Sequence, residues 1–255
     1  MARRATIING LRASSAGAVL LLDAGGTLFG NDLANASQGQ VIIEAMNAMA
    51  YDALTVGQLE LLQGLDVLQQ RAKEARFPLL SCNLVGAQDS RPIFDPYVIV
   101  ERNGTRFGIL GVSEPELAAL PVLANVATVL DPVTSVSHYL PEVRAQSDVL
   151  IVLSHLGLER DQALAQAVPG IQIIVGGKSR SVLAAPEMVG NTVIAQAGFD
   201  GEWLGQLDLA LDEQYHAIDP RVTMIALVPE IASEPTMAAL VDSYKQRFPT
   251  QTQSH

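Results

Sequence analysis

The sequence predicts an α/β protein in which two mixed sheets pack face to face and helices cover their outer sides. Helical and strand patterns alternate along most of the chain, and strand patterns dominate after residue 190. Two runs, 148–154 and 171–175, are mostly apolar, which is typical of strands buried on both faces. We therefore expect one domain at residues 1–248 and a polar tail at 249–255.

The spacing of apolar residues predicts the first helices and strands. Residues 5–13 have helical spacing and lead to an apolar strand at 18–23. The next helix is predicted at 38–50, because its apolar side chains fall on one stripe, formed by Val41, Ile42, Ala45, Met46 and Met49. A short strand follows at 53–56. A helix at 64–75 then leads to a strand at 78–82.

The sequence pattern in the middle of the chain predicts a hairpin, followed by two units that each consist of a helix and a buried strand. Strand patterns at 93–101 and 105–112 flank Asn103-Gly104, a dipeptide that favours a tight hairpin turn. A helix is predicted at 133–145, interrupted by Pro141, before the buried strand at 148–154. A helix at 159–167 precedes the buried strand at 171–175. The late strands at 192–197, 203–211 and 222–228 predict an antiparallel set, and a helix is expected at 235–247.

Charge and cysteine content exclude several classes of protein. The chain has 27 acidic and 16 basic residues, a net charge of -11, and no long basic run. A phosphate backbone would be repelled, so nucleic acid is not an expected partner. The single cysteine, Cys82, excludes an internal disulfide and a cysteine-rich zinc site. We expect neither a membrane span nor an export signal, which makes a cytoplasmic location the default.

Four loops follow predicted strands and carry the candidate functional residues. Because the carboxyl ends of neighbouring strands meet at one edge of a sheet, these loops are expected to share a crevice. They lie at residues 23–27, 56–60, 154–157 and 176–180.

Several segments, in this order, resemble the metallophosphoesterase (calcineurin-like) domain of the 5′-nucleotidase family. They are RRATI at 3–7, LLLDAG at 20–25, YDALTVG at 51–57, LSHLG at 153–157, VIAQAG at 193–198 and LGQLDL at 204–209. The resemblance implies an α/β/β/α sandwich with the first strand of the family pattern missing. It also implies a reaction in which two divalent cations, such as manganese or zinc, activate water to attack a phosphate ester.

The residues at the family's metal positions depart from its pattern. The bridging aspartate falls on Gly26, the metal-binding asparagine on Gln58 and the catalytic histidine on Leu59. The aspartate that supports that histidine falls on Leu62. The two histidines of a Gly-His-Ser/Thr-His motif fall on Lys178 and Arg180, which have no lone pair for a metal.

His155 is the one ligand-type residue left at a family position, and the first Asp-x-His motif has no counterpart. The sequence therefore predicts no metal site and no catalytic residue.

Two interpretations of the altered crevice remain open. In the first, Lys178 and Arg180 replace the lost cations and bind a phosphate or carboxylate, with help from Gly177, His155 and Thr27. In the second, the two cations pair internally with nearby carboxylates and neutralise the pocket. The carboxylates considered are Asp23, Glu60 and Asp200.

The expected function is that of a catalytically inactive relative serving as a structural or interaction subunit. Loss of the first strand would expose a sheet edge, so we expect a protein partner or a homo-oligomer. The alternative is a divergent metal-dependent phosphoesterase or 5′-nucleotidase with one metal, held by residues such as Asp23, Asp32, Glu60 and His155. The resemblance further implies a family that is often periplasmic or surface-attached.

Overall fold

The computed structural model describes residues 1–249, so the predicted tail lies outside the described residues from position 250 onward. The helices are α1 (Ala2–Ser14), α2 (Asp32–Ala36), α3 (Gln40–Ala48), α4 (Leu65–Glu74), α5 (Pro132–Gln146), α6 (Leu158–Ala167) and α7 (Pro235–Arg247).

The strands that come before α5 are β1 (Leu22–Asp23), β2 (Ala53–Thr55), β3 (Leu79–Leu80), β4 (Leu84–Gly86), β5 (Tyr97–Arg102), β6 (Thr105–Val112) and β7 (Ala127–Val129). Those that follow are β8 (Val149–Ser154), β9 (Ile173–Gly176), β10 (Glu187–Val189), β11 (Thr192–Gln196), β12 (Trp203–Leu211) and β13 (Ala217–Ala226).

The main sheet is mixed and has the order β10-β11-β9-β8-β6-β5. Its central strands β11, β9, β8 and β6 run parallel, whereas β10 and β5 pair antiparallel at the two edges. A second sheet contains β1, β2 and β3, all parallel, and β12 pairs with β13 in an antiparallel ribbon. The predicted mixed α/β architecture is confirmed.

Three apolar layers hold these elements together. One layer lies between the main sheet and helices α5 and α6, where Val143 and Leu164 pack with strand residues. A second layer lies between the two sheets, with Leu80 of β3 against Ile109 and Ile151. The third packs α1, α3, α4 and α7 over the other side of the smaller sheet. This order of layers is the predicted sandwich of two sheets flanked by helices.

Some element boundaries differ from the prediction for identifiable reasons. The strand expected at 18–23 contains only Leu22–Asp23, because Leu21 N donates to the Asp52 carboxylate rather than to a strand ladder (2.7 Å). The strand expected from residue 93 begins at Tyr97, directly after Pro96, which has no N–H to donate. Helix α5 continues through Pro141 to Gln146.

The prediction for the late strands was wrong in its pairing. Strand β11 pairs parallel with β9 in the main sheet, and it is not part of an antiparallel set with β12 and β13. The chain leaves the main sheet through a turn in which Gly198, Asp200 and Gly201 all have positive φ. This turn allows β12 and β13 to form their own ribbon.

Candidate functional site

The four predicted loops meet around the ring of His155, in what we call the loop crevice (residues 23–27, 56–60, 154–157 and 176–180). A Cβ atom built on Gly57 would lie 2.4 Å from His155 Cδ2, and one on Gly25 or Gly177 would lie 3.1 Å from Nδ1. A Cβ on Gly26 would lie 3.1 Å from Cε1. Glycine at these positions therefore leaves room for the imidazole.

One side-chain hydrogen bond and one nearby carboxylate position His155 in the crevice. Its Nδ1 atom lies 2.6 Å from the carbonyl oxygen of Ala24, which can only accept, so Nδ1 carries a proton. In the neutral ring the lone pair is then on Nε2, which lies 4.0 Å from Glu114 Oε1. His155 is 6% exposed and Glu114 is 1% exposed.

Glu114 lies in the segment that follows β6, and burial raises its pKa, although the nearby His155 opposes this rise. Its Oε1 atom accepts a hydrogen bond from Gln58 N at 3.1 Å. Within residues 1–249, its buried Oε2 atom has no hydrogen-bond partner. Glu114 thus brings an unpartnered carboxylate oxygen to the side of the crevice.

Glu60 is fully buried and binds only backbone donors. Its Oε1 atom accepts hydrogen bonds from Thr27 N (2.7 Å) and Leu28 N (3.1 Å). Its Oε2 atom accepts from Gly26 N (2.8 Å) and Gly57 N (2.9 Å). The short 3-10 turn at Leu59–Leu61 places the side chain beneath these two loops. Both carboxylate oxygens are therefore occupied.

The other acidic residues considered for this site do not join His155. Asp23 Oδ1 accepts from Gly25 N (3.0 Å) and from Thr27 Oγ1 (2.8 Å). Burial raises the pKa of Asp23, with Arg4 opposing the rise. Asp32 is exposed at the start of α2.

Lys178 and Arg180 lie at the outer side of the crevice, and their backbones have positive φ angles of 70° and 60°. Lys178 Nζ binds Glu116 Oε2 at 2.6 Å, and Arg160 binds the same carboxylate at 2.7 Å. These hydrogen bonds, led by that of Arg160, lower the pKa of Glu116 to about 2. The Arg180 guanidinium lies 5.0 Å from the centre of the Phe199 ring.

The cationic side chains therefore have partners other than Asp23, Glu60 or Asp200. In the described part of the chain, Arg180 has no carboxylate within ion-pair distance, and Lys178 pairs with Glu116 alone.

The remaining predicted site positions add no ligand for a metal or an anion. Gln58 and Leu62 are exposed, Leu59 is half-buried, and Gly177 N donates to Ser154 O at 2.8 Å.

Asp161 of α6 lies next to the crevice and is fully buried. Ser154 Oγ donates to its Oδ1 atom, and a Cβ on Gly176 would lie 2.3 Å from its Oδ2 atom. That Oδ2 atom has no partner within residues 1–249. Burial raises the pKa of Asp161 to about 7.

The donor set does not fit the two divalent cations that the family resemblance implies. Within residues 1–249, no three His, Cys, Asp or Glu side chains are grouped so that they could hold one ion. Both carboxylate oxygens of Glu60 accept hydrogen bonds from backbone N–H groups, and Gly26 has no side-chain carboxylate. Lys178 and Arg180 would repel cations rather than bind them.

Sequence reasoning missed Glu114 and Glu116, the two carboxylates that contact His155 and Lys178. Both follow the predicted strand at 105–112, so the rule that selected the other loops could have found them. The structural role of Glu60 was missed too, since its four donors come from two separate loops.

The sequence matches no family model. It is 30% identical to a snake venom 5′-nucleotidase from Naja atra, over 96% of this chain and 51% of that protein. It is 28% identical to the uncharacterized metallophosphoesterase YunD of Bacillus subtilis, over 78% of this chain and 43% of that protein. The chain thus spans about half the length of the curated relatives it matches.

The fold supports the same relationship. A crystal structure of a 5′-nucleotidase precursor from Thermus thermophilus superimposes with a TM-score of 0.91 and 27% identity, over 99% of this chain and 54% of that one. No helix in residues 1–249 combines the length and the apolar composition needed to cross a bilayer. The chain is related by sequence to 5′-nucleotidases and metallophosphoesterases, and its fold is the calcineurin-like fold of the 5′-nucleotidase N-terminal domain.

Proposed function

We propose that this chain is a catalytically inactive 5′-nucleotidase-like protein that acts as a structural or interaction subunit. The observation that carries the proposal is the saturation of Glu60 by four backbone N–H groups. A dinuclear centre needs several carboxylate and imidazole ligands with free lone pairs. Among its own residues the loop crevice has one imidazole, that of His155, and the nearest Glu114 oxygen lies 4.0 Å from its Nε2 atom.

The charges at the outer side of the crevice support the same proposal. Lys178 and Arg180 lie where the resemblance puts imidazoles, and both have cationic side chains. A second cation brought into this region would meet repulsion instead of neutralising ligands. The intact apolar layers, in contrast, favour a stable fold that can present a surface to a partner.

The first test is metal content together with phosphatase activity. The purified chain is incubated with manganese or zinc, freed of loosely bound ions and measured by elemental mass spectrometry. Essentially no retained metal is expected, and no hydrolysis of a nucleoside monophosphate or of p-nitrophenyl phosphate above the level seen with chelator. Near two ions per chain, with activity that chelator abolishes, would refute the proposal.

A second candidate, a divergent metal-dependent phosphoesterase or 5′-nucleotidase, is favoured by one observation. Glu114 Oε1 lies 4.0 Å from Nε2 of His155, and the buried Oε2 atom of the same carboxylate has no hydrogen-bond partner within residues 1–249. These two groups, with water, are the ones that would remain for a single cation. This candidate requires metal retention that Glu114→Gln removes and that Glu116→Gln, an exposed carboxylate nearby, leaves unchanged.

An anion site at Lys178 and Arg180 is the second part of the proposal. It is supported by the Arg180 guanidinium, which lies over Phe199 and is left without an ion-pair partner among residues 1–249. Guanidinium groups bind phosphate and carboxylate through charge-assisted hydrogen bonds. Lys178 would have to share its charge between the ligand and Glu116.

Thermal unfolding in phosphate tests this site. Phosphate at ten times its dissociation constant should stabilise the protein by about 1.4 kcal/mol, and the Lys178→Ala/Arg180→Ala variant should lose that gain. The Arg221→Ala/Lys245→Ala variant is the control, since it removes the same charge from two exposed ion pairs elsewhere. Equal stabilisation of all three proteins would count against a specific site.

A further inference from the structure

Several backbone N–H groups point at a single carboxylate, that of Glu60. Gly26, where the resemblance puts the side chain of a metal-bridging aspartate, donates its backbone N–H to this carboxylate. Thr27, Leu28 and Gly57 add three more donors, so four N–H groups converge within 2.7–3.1 Å of one carboxylate. Two loops therefore direct converging backbone donors at one anion.

Convergent backbone N–H groups form concave anion-binding nests in proteins. This one is shielded from water, because Glu60 is fully buried and Leu28 is buried beside it. Within the described residues, no lysine, arginine or histidine forms an ion pair with Glu60. A buried carboxylate without a cationic partner depends on its hydrogen bonds, so the four donors supply the favourable interaction.

We infer that the N–H groups of Gly26, Thr27, Leu28 and Gly57 form a binding site for a small oxyanion, and that the chain fills this site with its own Glu60. The side chain is tethered by the Leu59–Leu61 turn, so its effective concentration at the site is high and free anions do not compete. This nest is separate from Lys178 and Arg180 and does not depend on them.

Removal of the Glu60 carboxylate should turn the nest into a site for added anions. The variant Glu60→Ala removes Cγ and the carboxylate, and acetate supplies the same number of carbon and oxygen atoms. Acetate should therefore raise the melting temperature of Glu60→Ala by several degrees, saturably, when chloride at equal ionic strength does not. The wild-type protein should show no such saturable gain, since its nest is filled.

Glu114→Ala is the matched control. It removes the same atoms from another buried glutamate, next to the crevice, but within residues 1–249 that carboxylate accepts a single backbone hydrogen bond, from Gln58 N. Acetate should stabilise Glu60→Ala clearly more than Glu114→Ala. Amide ¹⁵N and ¹H shifts of residues 26, 27, 28 and 57 should move with acetate in Glu60→Ala and stay fixed in the wild type.

The inference can still be tested if Glu60→Ala does not fold in chloride, because refolding in added anions can then be measured. Recovery of native near-ultraviolet circular dichroism in acetate, formate or phosphate would support the site, and recovery in phosphate alone would assign it to tetrahedral oxyanions. No recovery in any of the three anions would overturn the inference. Equal stabilisation of wild type, Glu60→Ala and Glu114→Ala would overturn it as well, because it would be a general salt effect.

Discussion

Asp161 illustrates how one buried residue can make stability depend on pH. Its carboxylate receives a hydrogen bond from Ser154 and has a second oxygen without a partner within residues 1–249. Burial disfavours the charged form and raises the pKa of Asp161 to about 7, whereas an unfolded chain would have a value of roughly 3.9. Between these two values the native state holds a proton that the unfolded state has released.

The free energy of unfolding should therefore decrease as pH rises from about 4 to about 7. The contribution of Asp161 is fully present below its unfolded pKa and is lost as pH passes its folded pKa. Urea unfolding of wild type and Asp161→Asn at pH 5 and pH 8 checks this. The decrease between the two values should be smaller in the variant, with each pKa unit worth roughly 1.4 kcal/mol. Identical decreases in both proteins would contradict the assignment.

At the scale of elements, local pattern predicted two long strands and the terminal helix well, whereas the strand expected at 222–228 lies at Ala217–Ala226. The bounds of β6, β12 and α7 agree with the prediction, because Asn103-Gly104, alternating side chains and Pro235 are local signals. Strands β4, β7 and β10 were not predicted. Each has only three residues, and such short runs take their structure from tertiary pairing.

The sequence predicted where the candidate site lies, but not which side chains form ion pairs there. The rule that loops gather at the carboxyl ends of strands correctly brought His155 together with Gly26, Gly57 and Gly177. The partner of Lys178 proved to be Glu116, which is 62 positions away in sequence. Spacing along the chain contains no information on such a contact, since it depends on how the loop after β6 meets the loop after β9.

At the scale of the whole molecule, strand β1 is the relevant feature for assembly. It is the edge of its three-stranded sheet and pairs with β2 on one side only. Leu20 and Leu22 in this region pack against the layer between the two sheets and are partly exposed. An edge strand with apolar side chains can pair with another chain, so this surface favours a partner.

We therefore expect the purified protein to have a mass above that of one chain. Size-exclusion chromatography with multi-angle light scattering, over a tenfold range of concentration, checks this expectation. Substitution of Leu22 by Lys should shift the protein towards the single-chain mass, because a charged side chain opposes edge pairing. A single-chain mass for the wild type at every concentration would contradict it.

The glycines around His155 also bear on how this chain can change by mutation. A side chain at Gly26 would start 3.1 Å from the imidazole, on a backbone with φ of +77°. An aspartate there would also bring a second carboxylate towards Glu60, whose Oε2 atom already accepts from the Gly26 N–H. One substitution would thus disturb a packed, hydrogen-bonded unit before it restored any ligand. A two-cation centre in this crevice would therefore need changes at more positions than Gly26, because the packed unit of Glu60 and His155 would have to rearrange as well.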